Sequence, residues 1–297
     1  MRLGCVDGEA VLIEDGRCAG LAEPSAHRFA TPGQVYGDWP GFLSWAAGDP
    51  DLTWRDLDIA LLQAPVPSPG QVFGVGLNYH DHLEENGQAG TRPLPLTFTK
   101  FPSCVTGPYD AVEIPVDGVD YEVEVVLVIG TYADRVPAEQ AWDHIAGLTV
   151  GQDLSARGVQ QGGQLSLAKS FRGFAPIGPW VTTPDELPDR DALDLRCWVN
   201  GELLQDGTTA KMVHDIPELI AFLSTITPLR PGDIVFTGTP AGVGFFREPQ
   251  LFLNPGDAVR SEVTGLGVIE NRCVAPAAAG PYDDALLALA PRPRAKR

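Results

Sequence analysis

Asp120-Tyr121-Glu122-Val123-Glu124-Val125-Val126-Leu127-Val128-Ile129-Gly130 sets two carboxylates at the head of a strongly apolar run. Residues i and i+2 of a β-strand point to the same side. Glu122 and Glu124 therefore aim at one spot, while Tyr121, Val123 and Val125 face the other way. Desolvating two converging carboxylates is costly unless something neutralises them. A divalent cation is the simplest neutraliser, and oxygen-only ligands favour Mg, Mn or Ca over Zn or Cu. Read alone, however, such a pair fits a solvated strand edge or a salt-bridged face better. The rest of the chain decides its meaning.

The chain has 297 residues, 44% hydrophobic and 20% charged, enough apolar content for a sizeable core in one large domain or two. Lys plus Arg number 21 and Asp plus Glu 39, for a net charge of −18. That argues against nucleic acid or an anionic membrane as partner, since both need basic surface. A small anionic substrate would need local positive charge, which a bound metal can supply. Cys5, Cys18, Cys104, Cys197 and Cys273 are scattered, odd in number and without C-x-x-C spacing. They read as reduced thiols, and the expected location is cytoplasmic. Met1–Cys5 runs straight into a strand-like pattern, so no targeting segment is expected. No apolar stretch approaches the roughly 20 residues that span a bilayer.

On the N-terminal side, Asp7-Gly8 and Asp15-Gly16 break three short strand candidates, as Asp-Gly hairpin turns do. Helical segments are expected at Trp39–Ala47 and Leu57–Leu62. Ala64-Pro65-Val66-Pro67-Ser68-Pro69-Gly70 reads as a stiff linker. Strands follow at Val72–Val75, Leu96–Thr99, Val112–Ile114, Tyr121–Ile129 and Leu148–Gln152, with a helical look at Asn78–Asn86 and Pro137–His144. Asn200-Gly201 marks a hairpin between Leu195–Val199 and Glu202–Leu204, and Ile216–Ser224 is an amphipathic helix. Most elements are strands and the helices are short, which indicates a β-rich α+β fold and not a Rossmann-like sheet. The expected units are a small N-terminal domain (1–68), a main domain (69–275) and a flexible tail (276–297) ending in Arg292, Arg294, Lys296 and Arg297.

Four further clusters carry candidate chemistry. In Gly76-Leu77-Asn78-Tyr79-His80-Asp81-His82-Leu83-Glu84-Glu85, a helical turn puts His82 and Glu85 on one face; His80 and Glu84 compete with them at the i,i+4 spacing. A carboxylate beside an imidazole fixes its tautomer and raises its basicity, as a general base requires. Asp153 ends an apolar strand, where it is either a third oxygen ligand or a helix N-cap. Lys169 sits among Gly, Pro and aromatic residues and is able to face an anion. Gly238-Thr239-Pro240-Ala241-Gly242-Val243-Gly244 is a Gly-rich turn whose backbone N–H groups and hydroxyl could hold a carboxylate; it lacks the G-K-[ST] of a P-loop.

Taken together, the segments resemble the fumarylacetoacetate hydrolase family. The resemblance lies in G-x-N-Y-x-x-H-x-x-E at 76–85, D-Y-E-x-E at 120–124, D-x-S-A-R-x-x-Q at 153–160, K-S-F-x-x-x-x-P-x-G-P at 169–179 and G-T-P-x-G-V-G at 238–244. It implies a mixed β-sandwich roll with a small N-terminal α+β domain, a homodimer, and one Mg2+-type ion, with Mn2+ or Ca2+ as alternatives. It implies metal ligation by Glu122, Glu124 and Asp153. His82 with Glu85 would activate water on a mobile lid, Lys169 would be the active-site lysine, and Tyr79, Arg157, Gln160 and Thr239 would meet the substrate. Arg172, Gly158 and Phe101 depart from the family's usual residues beside the site.

The expected activity is metal-dependent hydrolysis of a C–C bond in a β-diketo acid of the acylpyruvate or fumarylpyruvate type. The alternative keeps the site but changes the outcome: decarboxylation of an oxaloacetate-type acid, or isomerisation of a hydroxymuconate-type diacid. A non-catalytic ligand-binding module is the third reading.

Overall fold

The structure is a computed structural model that describes residues 1–88, 90, 92–278, 280–289 and 291. The elements that position the site are, in chain order, β1 (Arg2–Val6), β2 (Glu9–Glu14), β3 (Arg17–Gly20), α1 (Trp39–Ala46), β4 (Val72–Gly76), α2 (His80–Glu85), β5 (Leu96–Lys100) and β6 (Val123–Ile129). They continue with β7 (Ile145–Gln152), α3 (Arg157–Gln161), β8 (Ala175–Thr182), β9 (Asp194–Val199), β10 (Glu202–Thr208), α4 (Ile216–Ile226), β11 (Ile234–Phe236), β12 (Ala258–Val263) and β13 (Gly267–Val274).

The large sheet runs β3-β2-β1-β8-β7-β6-β11-β4-β5, and a second sheet runs β10-β9-β12-β13. β11 pairs with β4 in parallel, while β6 pairs with β7 antiparallel, so the large sheet is mixed. Its central strands β6, β7 and β8 lie against β9, β12 and β13 of the second sheet. This is the sandwich roll expected from the sequence. β6 is buried along its whole length, which explains why it reads as an unbroken apolar run and not as an alternating one. Leu127, Val150, Leu195 and Ile269 are fully buried between the layers. Each such side chain contributes about 1.5–3 kcal/mol of transfer free energy.

The three N-terminal strands form where Asp7 and Asp15 take positive φ (52° and 47°) ahead of their glycines, as a two-residue hairpin turn requires. These strands extend the large sheet: Arg2 and Leu3 of β1 register with Thr182 and Val181 of β8. Ala64, Pro65 and Val66 of the proline-rich segment are buried against this junction.

Two expected helices take other forms. Only Ile59–Leu61 coils, as one 3-10 turn, because Leu62–Gln63 is drawn into pairing with β1. Ala138–His144 is likewise a 3-10 segment, packed on α4. The C-terminal stretch carries a short helix at Asp283–Leu287, and its basic end, Arg292, Arg294, Lys296 and Arg297, lies outside the described residues. No helix among the described residues is long and apolar enough to cross a membrane.

Candidate metal centre and active-site cavity

The antiparallel pairing of β6 with β7 places Glu124 opposite Gly151 and Val123 opposite Gln152. The chain then continues past β7, and the Asp153 N–H donates to the Glu122 carbonyl at 2.9 Å. This brings Glu122, Glu124 and Asp153 together, with one oxygen of each within 4.8 Å of the others. All three are buried, at 6%, 1% and 0% exposure.

Three cations surround them. Lys169 Nζ donates to Glu122 and, at 2.6 Å, to Asp153 Oδ2. Arg157 donates to Glu122 Oε1 at 2.6 Å, to Asp120 Oδ2 at 2.8 Å and to Gln160 Oε1 at 3.0 Å. Lys100 Nζ donates to Asp153 Oδ1 at 2.5 Å and to the Phe174 carbonyl at 3.1 Å. The sequence reading missed both Lys100 and Asp120 as site residues. A signal for Lys100 existed: on β5 it shares a side with Leu96 and Phe98, so a lysine ends an otherwise apolar face.

Four buried carboxylates (Asp120, Glu122, Glu124, Asp153) thus face three cations (Lys100, Arg157, Lys169), and the uncompensated one is Glu124. It accepts only from the Gly238 N–H, at 2.7 Å, and has no ion pair among the described residues. Burial, with Asp153 and Glu122 beside it, lifts its pKa well above the carboxylate range. At Glu122 burial pushes the same way, but Lys169 and Arg157 outweigh it and hold the group down to about 2. A dry, oxygen-only cluster with surplus negative charge fits a hard divalent cation, and no thiolate or imidazole competes within it.

α2 carries His82 and Glu85 one turn apart, with His82 Nδ1 3.0 Å from Glu85 Oε2. His80 and Glu84 are exposed, whereas His82 is buried and lines the cavity. Glu85 Oε1 also accepts from the Gly242 N–H at 3.0 Å, and Asp81 Oδ1 from the Ala241 N–H at 3.2 Å. The N–H groups of Gly238, Ala241, Gly242 and Gly244 therefore all serve the protein's own carboxylates. Gly238 is needed for this, since its φ is +103° and a Cβ would lie 2.7 Å from Asn78 Cβ.

His82, Glu122, Glu124, Arg157, Gln160, Lys169 and Thr239 line one cavity of about 350 Å³, closed by Leu77, Leu96, Phe98, Phe245 and Phe246. The expected substrate contacts fare differently. Gln160 is on the wall. Thr239 is too, but its hydroxyl already donates to the Val123 carbonyl at 2.9 Å and accepts from Gln205 at 2.8 Å. Arg157 is held by Asp120, Glu122 and Gln160. Tyr79 is wholly buried, and its hydroxyl has no hydrogen-bond partner among the described residues. Among the described residues the cavity's cations are Arg157 and Lys169, both already paired. Phe101 and Arg172 are exposed and Gly158 is buried in α3.

The mixed β-roll thus sets a buried three-carboxylate cluster, with the make-up of an oxygen-ligand metal site, near a histidine oriented by a carboxylate. The chain belongs to the fumarylacetoacetate (FAA) hydrolase C-terminal family, which matches residues 71–274. Mitochondrial oxaloacetate tautomerase FAHD2A of Homo sapiens is 44% identical over 216 residues, 71% of this chain and 68% of its own. A Mycobacterium smegmatis protein provisionally named HpcE shares 42% identity at a TM-score of 0.87, over 93% of this chain and 100% of that one. Maleylpyruvate hydrolase of Sphingobium sp. SYK-6, in complex with manganese(II) ion and pyruvate, shares 30% at a TM-score of 0.77, over 93% and 99%.

The expected cytoplasmic location is corrected by these relatives, since the human and bovine proteins are mitochondrial. The expectation rested on unpaired thiols. The five cysteines are indeed free and buried, but that state suits any reducing compartment.

Proposed function

We propose that the chain is a divalent-metal-dependent enzyme that moves a proton between carbon and oxygen of a 2-oxo acid, acting as a keto–enol tautomerase of the oxaloacetate type. One observation carries the reading: His82, held by Glu85, lines the same cavity as Glu122 and Glu124 of the carboxylate cluster. Proton transfer next to a carbonyl needs a base and a sink for the enolate charge, and nothing else. The 44% identity to an oxaloacetate tautomerase supports this reading over the C–C hydrolysis that the sequence put first.

Glu122, Glu124 and Asp153 would hold the ion, Mg2+ or Mn2+, which when bound would draw electron density from a chelating 2-oxo acid and stabilise its enolate. Glu85 accepts the Nδ1 proton of His82, which leaves Nε2 with the lone pair. Nε2 takes the proton from the carbon beside the keto group, and the C–H bonding pair becomes the enolate. The same nitrogen then returns the proton to the oxygen, giving the enol; the reverse sequence restores the ketone. Burial works against charge on Lys169, but Asp153 and Glu122 raise its pKa, so it stays cationic beside the reacting oxygens. Leu96, Phe98, Phe245 and Phe246 keep the cavity apolar, which strengthens each of these interactions.

Hydrolysis of an acylpyruvate would use the same His82–Glu85 pair on a water, and decarboxylation would need no base. A turnover panel of acylpyruvates, fumarylpyruvate and oxaloacetate with Mg2+ or Mn2+ separates the three. Proton transfer predicts deuterium exchange at C3 of oxaloacetate without release of pyruvate plus acid or of CO2. His82→Ala is expected to lose about 10²–10⁴-fold in that exchange. A small loss, with CO2 as product, would overturn the proposal in favour of decarboxylation.

A further inference from the structure

We infer that Asp120 is a positioning residue that ties the carboxylate cluster to the His82 base. It opens the D-Y-E-x-E stretch, yet the chemistry above gives it no task. Its carboxylate is fully buried and accepts from two directions.

On one side, Asp120 Oδ2 receives the Arg157 Nε–H at 2.8 Å, and Nη2 of that guanidinium donates to Glu122 Oε1 at 2.6 Å. Glu122 is thereby gripped at one oxygen by Arg157 and at the other by Lys169. On the other side, Oδ1 receives the Gly244 N–H at 2.7 Å and Oδ2 the Phe245 N–H at 3.1 Å. These amides open the turn Gly244–Phe246, and the ring of Phe246 meets that of His82 edge-on at 5.6 Å. The close approach needs glycine at 244, because a Cβ there would sit 1.7 Å from the Leu251 carbonyl oxygen and 2.8 Å from Asp120 Oδ1.

A carboxylate placed only to neutralise Arg157 would have no need to organise two amides of a distant turn. Here one carboxylate fixes Glu122 through Arg157 and fixes the wall against His82 through Phe246. The two arms are separable by mutation. The inference rests on the metal-site reading of Glu122, Glu124 and Asp153.

The test uses the full chain, with Mn2+ affinity from calorimetry, kcat and KM on oxaloacetate, and the thermal midpoint. Asp120→Asn keeps the shape but leaves one accepting oxygen, so either Gly244 or the Arg157 and Phe245 donors lose their acceptor and face an amide N–H instead. It is expected to weaken Mn2+ binding and lower kcat, each by about 10- to 100-fold, as loss of a group supporting a metal ligand does. Arg157→Lys cuts the first arm and is expected to weaken Mn2+ binding. Phe246→Ala cuts the second and is expected to lower kcat while Mn2+ binds as before. Wild-type Mn2+ affinity and wild-type kcat in Asp120→Asn, with only the thermal midpoint changed, would overturn the inference. If Asp120→Asn does not fold, unchanged Mn2+ affinity in Arg157→Lys or unchanged kcat in Phe246→Ala overturns it. A wild-type chain that takes up no Mn2+ would instead sink the metal-site reading itself.

Discussion

Glu122 meets two cations, Lys169 and Arg157, whereas Glu124, two residues along the same stretch, meets only the backbone N–H of Gly238 among the described residues. Both are buried and both face one cavity. Their pKa values move in opposite directions, Glu122 to about 2 and Glu124 upward. A stretch built only for stability would pair both. The difference teaches that the site keeps one charge open by design of its neighbours, and an open buried anion is where a cation gains most.

The comparison can be broken by neutralising each partner in turn. Glu122→Gln leaves Lys169 and Arg157 each short of a counter-charge, and breaking a buried pair costs about 3–5 kcal/mol. Chemical denaturation of the metal-free protein should show that loss. Glu124→Gln keeps the acceptor for Gly238 and removes the cost of burying a group that would otherwise ionise. The thermal midpoint of the metal-free protein should rise by about 2–4 °C, the shift of about 1 kcal/mol in a domain of this size. The same variant should take up no Mn2+ and show no turnover. A drop in midpoint for Glu124→Gln would mean that Glu124 has a partner in the folded state and would end the comparison.

The smallest effect is in pH dependence, and it carries opposite signs. The folded pKa of Glu122 is depressed, so its contribution is complete above the usual value of 4.5 and is lost as pH falls toward about 2. That of Glu124 is raised, so the folded protein holds a proton that the unfolded chain has released, and stability falls as pH rises through the folded pKa. As pH rises above the usual carboxylate value of 4.5, the metal-free wild type should lose thermal stability relative to Glu124→Gln. Saturating Mn2+ should abolish that slope. A wild-type curve parallel to that of Glu124→Gln would show that Glu124 does not titrate differently on folding.

Much of this was legible in residue order. The apolar run 125–129 announced a strand, and Asn200-Gly201 marked the β9–β10 hairpin that the structure contains. The family resemblance singled out Glu122, Glu124 and Asp153, whose carboxylates the fold clusters, and His82 with Glu85, which lie one turn apart on α2. What was not legible depends on tertiary pairing. Lys100 reaches Asp153 across 53 residues, and Asp120 reaches the Gly244 amide across 124. No local pattern encodes such contacts. Thr239 and Arg157 look available in sequence, but their donors are already committed to Val123, Asp120 and Glu122. Tyr79 lies in a motif whose neighbours reach the cavity, yet the β-bridge of Tyr79 with Met212 holds it in the core.

If this cavity moves a proton on a 2-oxo acid with help from a divalent ion held at Glu124 and its neighbours, the ion should control turnover. The most direct test is the keto–enol conversion of oxaloacetate, followed by enol absorbance, for the wild-type chain with Mg2+ and again after chelation. The account predicts strong acceleration with the ion, its loss on chelation and its return on adding Mn2+, with no pyruvate formed. Acceleration that survives chelation, or no acceleration beside rapid cleavage of an acylpyruvate, would contradict it.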